Sequence, residues 1–211
     1  MNAQVVDLTL PFYDGRRGVA YKPELNIADH GFNTTTLQIY SHALTHMDAP
    51  KHFLPDGEGI ETIPLARCIG PAHVIDLTHV SPNSQITVDD MGDHTGKITE
   101  GSRLLLHTGW STHAEATDYR TQFPRLSLAL AQWFVACGVW LIGVEAPSVA
   151  SLAKENRTEL TEVHQTLLRA GVIIVEGLCN LDQLPPDVEF IALPLNMPDL
   201  DGSPVRAVAR F

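Results

Sequence analysis

The sequence predicts an α/β domain built on a mixed sheet, and three observations carry that expectation. Continuous apolar runs, LLL at 104–106, VWLIGV at 139–144 and VIIV at 172–175, suit strands buried on both faces. Two stretches share one design. SLALAQWFVACGVWLIGVE from Ser127 and TEVHQTLLRAGVIIVE from Thr161 each give a helical segment, a glycine stop, an apolar strand and a terminal glutamate. Near the start of the chain, extended segments follow one another with few helices between them, which mixes the sheet rather than alternating strand and helix throughout.

Taken in order, TTTLQIY at 34–40 is rich in the β-branched and aromatic residues that fit a pleated surface. AHVIDLT at 72–78 and RLLLHT at 103–108 follow as the next strands. The first helical segment closes at Gly138 and feeds the strand 139–145; the second closes at Gly171 and feeds the strand 172–176. Glycine at each stop matches the C-cap preference for a residue that tolerates left-handed angles. FIALPL at 190–195 and VRAVARF at 205–211 complete the set. No linker, repeat array or low-complexity tract divides the chain, and 211 residues at 44% hydrophobic composition build one sizeable core, so a single domain over 1–211 is expected.

Charge narrows the partners. A net charge of −11 and an isoelectric point near 5.2 exclude nucleic acid and anionic membrane surfaces as expected partners, since both are polyanions. MNAQVVDLTLPFYDG has no basic stretch leading into an apolar one, and the longest apolar run, Trp133 to Val144, is short for a membrane span and broken by Gly138. Cys68, Cys137 and Cys179 are odd in number, widely spaced and flanked by apolar residues, so they read as reduced, buried small hydrophobes. A cytoplasmic location is the expectation.

The chemistry concentrates in SHALTHMDAPKHF. His42, His46, Asp48 and His52 fall within eleven residues, and imidazole nitrogen and carboxylate oxygen are the ligand types that hold Zn²⁺, Mn²⁺ or Fe²⁺. The four positions have the same parity, so an extended segment aims all four at one face. A helix would not, because Asp48 would point roughly 120° away from the histidines. Pro50 also biases its predecessor away from helix. The cluster is expected at a strand end running into a loop.

HALTHMDAPKHF resembles the HxGTHxDxPxH motif of the cyclase family, whose best-known enzymes are the bacterial kynurenine formamidases. Further similarity runs from VVDLTLPFYDG through RLLLHTGW, GVWLIGVEAPSV and HQTLLRAGVIIVEGLCNL to DGSPVRAVA. The resemblance implies a cyclase-like swivelling β/β/α fold, assembly as a homodimer or homotetramer, and two divalent ions per chain, zinc or manganese. It implies that His42 and His46 bind one ion, that Asp48 bridges, that His164 binds the second, and that Glu176 adds a bridging carboxylate. His52 matches the family's proton-transfer histidine, a general acid/base acting on water activated by the metal pair. The local pattern permits the last two ligands: a helix from His164 rises about 10 Å and the strand to Glu176 returns about 13–16 Å.

The implied reaction is hydrolysis of a C–N amide bond, with arylformamidase activity, N-formylkynurenine to kynurenine plus formate, as the named expectation. Opening of a cyclic amide or lactone, as in isatin hydrolase, is the alternative, and a non-catalytic metal-binding scaffold is a further one. Glu145, ending a buried strand, is a candidate for orienting a ligand histidine or for pairing with backbone amides. In the formamidases a tryptophan from an early loop packs on the substrate. Here the early loop PFYDGRRGVAYKPE offers Phe12 and Tyr13, with Arg16 and Arg17 as a candidate clamp for a substrate carboxylate. Leu44 stands where the motif usually has glycine, and Asp201-Gly202-Ser203-Pro204 reads locally as a turn.

Overall fold

The computed structural model describes residues 3–211. Among these described residues twelve strands run in chain order: β1 (Val5–Asp7), β2 (Val19–Leu25), β3 (Thr34–Ile39), β4 (His46–Asp48), β5 (Ile69–Asp76), β6 (Gln85–Ile86), β7 (Arg103–His107), β8 (Arg125–Leu126), β9 (Leu141–Val144), β10 (Ile173–Glu176), β11 (Asp187–Pro194) and β12 (Gly202–Arg210). Three α-helices, α1 (Ile27–His30), α2 (Leu128–Ala136) and α3 (Arg157–Arg169), join them.

Eight strands form one mixed sheet in the order β1-β12-β11-β5-β7-β9-β10-β4. β5, β7, β9 and β10 run parallel to their neighbours in that series, and the remaining pairs are antiparallel. β4 hydrogen-bonds to β10 on one side and to β12 on the other, so the sheet curls round into a barrel-like ring. The parallel steps need crossovers, and α2 and α3 supply them between β7 and β9 and between β9 and β10.

The pleat explains the continuous apolar runs. Leu104 and Leu106 of β7 pack with Phe134 of α2 and Leu167 of α3, whereas Leu105 joins Phe190, Val175 and Met47 in a second cluster enclosed by the curled sheet. Both faces of these strands are therefore covered. Ser127 caps α2 by accepting from Leu130 N at 3.1 Å, and Gly138 and Gly171 adopt φ of 72° and 71° just beyond the two helices.

The seven expected strands are all present with ends shifted by a few residues, and the extended stretch through the histidine cluster is the main difference. Only His46–Asp48 is strand; His42 lies in the preceding turn and His52 in a 3₁₀ turn that starts at Pro50. β2 and β3 pair only with each other and form a projecting arm, with every residue of β3 exposed.

Candidate metal centre

The register of three strands assembles the site. Glu176 of β10 lies opposite His46 of β4, Ile174 opposite Asp48, and Gly202 of β12 faces Asp48 from the other side. His46 and Asp48, two apart, share one face of the pleat. α3 then crosses above β10 and brings His164 down onto the same carboxylates. His46 Nε2 is 3.3 Å from Glu176 Oε2 and 3.5 Å from Asp48 Oδ1. His164 Nε2 is 3.5 Å from Glu176 Oε1 and 3.8 Å from Asp48 Oδ2. His46, Asp48, His164 and Glu176 are all buried.

His42 enters by a different route. A turn in which Leu44 takes φ of 55° swings its ring over the strand, where Nδ1 meets Asp48 Oδ1 at 3.0 Å. Leucine holds here the left-handed conformation that glycine adopts without cost, a strain of roughly 1–2 kcal/mol. The same turn presents the Leu44 carbonyl to His46 Nδ1 at 3.0 Å. Gly177 makes this possible, because a Cβ there would lie 2.3 Å from Leu44 O.

The ring orientations are informative. A carbonyl can only accept, so Leu44 O fixes the proton of His46 on Nδ1, and Leu160 O does the same for His164 at 2.7 Å. Both Nε2 lone pairs then face two buried carboxylates. That arrangement is repulsive unless a cation lies among them. Burial disfavours charged rings at His46 and His164, but Glu176 and Asp48 outweigh it and raise both pKa values. One atom stays unsatisfied. Asp48 Oδ2 is buried with no hydrogen-bond partner. An orphaned carboxylate oxygen, inward lone pairs and a mixed N/O donor set fit a divalent ion of the zinc or manganese type.

Candidate ligand atoms converge in two overlapping groups, His42–Asp48–His52 and His46–Asp48–Glu176, each with its atoms within 4.8 Å of one another. Asp48 is common to both. The geometry thus pairs His46 with Glu176, and it pairs His42 with His52, whose rings stack at 3.8 Å. Burial lowers the pKa of His52. A cavity of about 590 Å³ opens onto the cluster and is lined by His42, His52, His164 and Glu176 among others.

The other sequence candidates separate. Glu145 is buried but touches none of these histidines; Oε2 accepts from Thr108 N at 2.7 Å and Gly109 N at 2.6 Å, and Oε1 accepts from Ser111 Oγ at 2.6 Å. The backbone-amide alternative is the one found. Arg16 is buried and committed to Pro11 O at 2.7 Å and Glu115 Oε1 at 2.5 Å, so it is not a free clamp. Tyr13 hydroxyl donates to Glu115 Oε2 at 2.9 Å. Phe12 lines a separate groove beside Leu193 and Arg206. Arg17 lines the cavity over the cluster.

Asp201 was not singled out as a site residue in the sequence. Its Oδ2 lies 3.1 Å from His42 Nε2 and 3.9 Å from His52 Nδ1. Its signals were the turn DGSP and that segment's similarity to the family, but its place beside β4 depends on a strand pairing across 154 positions of chain, from Asp48 to Gly202.

Comparison with known proteins agrees with this architecture. A family profile described as putative cyclase matches residues 6–151. Kynurenine formamidase of Geobacillus thermodenitrificans (strain NG80-2) is 35% identical over 209 residues, covering 99% of this chain and 95% of that protein. A solved structure described as a potential metal-dependent hydrolase with cyclase activity superposes with a TM-score of 0.79 at 28% identity, covering 99% of this chain and 98% of that one. An isatin hydrolase bound to the product analogue thioisatinate shares the fold, with a TM-score of 0.85 at 22% identity over 99% of this chain and 92% of that one. With its motif, its closed mixed sheet and its clustered ligands, the chain belongs to the cyclase family.

Proposed function

We propose that this chain is a metal-dependent hydrolase that cleaves a C–N amide bond, with N-formylkynurenine as the leading substrate and formate as a product. The observation that carries the reading is the buried pair Asp48 and Glu176 facing the Nε2 atoms of His46 and His164, with Asp48 Oδ2 unpartnered. The similarity to formamidases over nearly the whole chain supports the substrate.

His42, His46, Asp48, His164 and Glu176 would hold two divalent ions, zinc or manganese. When bound, such ions supply Lewis acidity and lower the pKa of water towards neutrality. The chain's own part follows from position. His52 sits on the cavity wall, half-buried, stacked on His42. Its Nδ1 is turned towards Asp201, which leaves Nε2 to take a proton from the attacking water and return it to the departing nitrogen. Asp201 stabilises the imidazolium between these two transfers. The ring stack and the 3₁₀ turn at Pro50–His52 hold the base in place.

Assembly as a homodimer or homotetramer belongs to the same reading. It is supported by apolar side chains left exposed on the arm, Phe32 at 55% and Leu37 at 56%.

The test is product analysis with the metal-loaded protein. Chelator-sensitive release of formate and kynurenine supports the proposal. A single ring-opened product from isatin or a lactone, without formate release from N-formylkynurenine, moves the chain to cyclic amides and lactones. Turnover of neither class makes it a metal-binding scaffold.

A further inference from the structure

The chain has ten arginines, and seven of them hydrogen-bond through the guanidinium to a carbonyl or side-chain oxygen. Among the described residues, the three without such a partner are Arg17, Arg120 and Arg157, and all three line the cavity over the metal centre. The chain carries 25 acidic residues against 14 basic ones, so carboxylates are not scarce. Yet among the described residues the only carboxylate lining this cavity is Glu176, facing the ligand histidines.

Each of the three is placed by a fixed neighbour. Arg17 follows Arg16, whose buried guanidinium clamps the loop to Pro11 and Glu115. Arg120 follows Tyr119, whose buried hydroxyl donates to Glu145 O at 2.8 Å. Arg157 opens α3 two turns before His164, on the same helical face, with Leu160 and Thr161 between them on the cavity wall. Arg17 and Arg120 also border an adjoining cavity of about 380 Å³.

We propose that Arg17, Arg120 and Arg157 form an anion-reading collar, and that the substrate is an amide carrying a carboxylate away from the bond that breaks. Guanidinium forks match carboxylate oxygens, and three uncompensated positive charges at the mouth of an acidic protein draw an anion to the cavity. The collar reads the carboxylate itself, so amides that carry one are favoured over isosteres that lack it. The identity of the bond that breaks rests on the amide-hydrolase reading above; the anion preference does not.

Two measurements separate these claims. In the first, benzoate and its neutral isostere benzamide are titrated by calorimetry onto chelator-treated protein. Benzoate is expected to bind at least tenfold more tightly, and each of Arg17→Gln, Arg120→Gln and Arg157→Gln is expected to weaken benzoate about tenfold. Arg169→Gln, whose partner is Gln165 on α3, serves as the control and leaves benzoate binding as it was. In the second, kcat/KM for carboxy-substituted formanilides is compared with that for formanilide on metal-loaded protein, and the ratio falls in the three variants through KM. Equal binding of benzoate and benzamide, or benzoate binding untouched by all three substitutions, overturns the collar. If neither formanilide is hydrolysed, the amide reading fails while the benzoate titration still decides the collar.

Discussion

Replacing Glu145 with glutamine separates a fold-building carboxylate from a metal-centre one. Glu145 Oε2 accepts from Thr108 N, Gly109 N and Thr108 Oγ1 at 2.7, 2.6 and 3.2 Å. Glutamine can keep its oxygen in that position, so the bonds persist but lose their charge. Hydrogen bonds to a charged acceptor contribute roughly 1.5–3 kcal/mol and neutral ones 0.5–1.5, a loss of about 1 kcal/mol for each bond and about 3 kcal/mol together. Ser111 Oγ, now facing an amide nitrogen, can turn and accept, which limits the damage on that side. For a chain of this length each kcal/mol lowers the melting temperature by about 2–4 °C, so Glu145→Gln is expected to melt about 6–12 °C lower. Metal content of the folded protein should not change, because no site histidine touches Glu145. Calorimetric melting and elemental analysis on one sample decide the matter. An unchanged melting temperature with metal lost would refute the reasoning and return Glu145 to the centre.

Other consequences are testable in the same way. Substituting His52 with alanine is expected to reduce turnover about 10²–10⁴-fold while metal content stays nearly intact; loss of metal would show that His52 is a ligand. In metal-free protein burial disfavours a charged His42 ring, but Asp48 and Asp201 outweigh it and raise the pKa from 6.5 to about 9. That proton stabilises the metal-free fold fully below the unfolded pKa, and its contribution is lost as pH rises through about 9. Metal must displace that proton together with any on His46 and His164, whose pKa values are also raised, so affinity is expected to fall at least tenfold for each unit below pH 9, measured by competition with a chelator of known protonation behaviour. A pH-independent affinity would contradict the His42 assignment. Burial pushes the Cys68 and Cys179 thiols up to about 11, leaving roughly one thiolate per thousand at pH 8. Native protein should therefore label first at half-buried Cys137, and rapid labelling of all three would overturn the packing described.

Local order was readable where one segment sets it. The unit from α3 to β10 announced itself by its glycine stop and apolar run, and it brings His164 and Glu176 onto the same carboxylate cluster. Parity placed His46 and Asp48 on one face because β4 really is extended there. It did not hold for His42, since the left-handed Leu44 breaks the extended run before the strand begins. Leucine has no propensity for a positive φ, and the one hint was that the motif usually has glycine there; the room for the turn depends on Gly177, more than 130 positions away, where a Cβ would lie 2.3 Å from Leu44 O. Asp201 was hidden for a related reason, as the pairing of β12 with β4 is non-local. Arg120 and Arg157 carry no spacing signal, and only the meeting of three separate segments over one cavity gives them a common role. Glu145 shows the limit of strand-end reasoning: two buried strand-end glutamates look alike in sequence, yet one faces imidazoles and the other faces the 108–111 turn.

The central claim is that Asp48 belongs to a divalent-metal centre rather than to a proton-bridged histidine cluster. It is tested most directly by metal stoichiometry of purified protein after reconstitution, for wild type and Asp48→Asn side by side. The account predicts about two tightly held equivalents of zinc or manganese in the wild type, and loss of most of that metal in a variant that stays folded. No metal retained by the wild type, or full retention by Asp48→Asn, would contradict it.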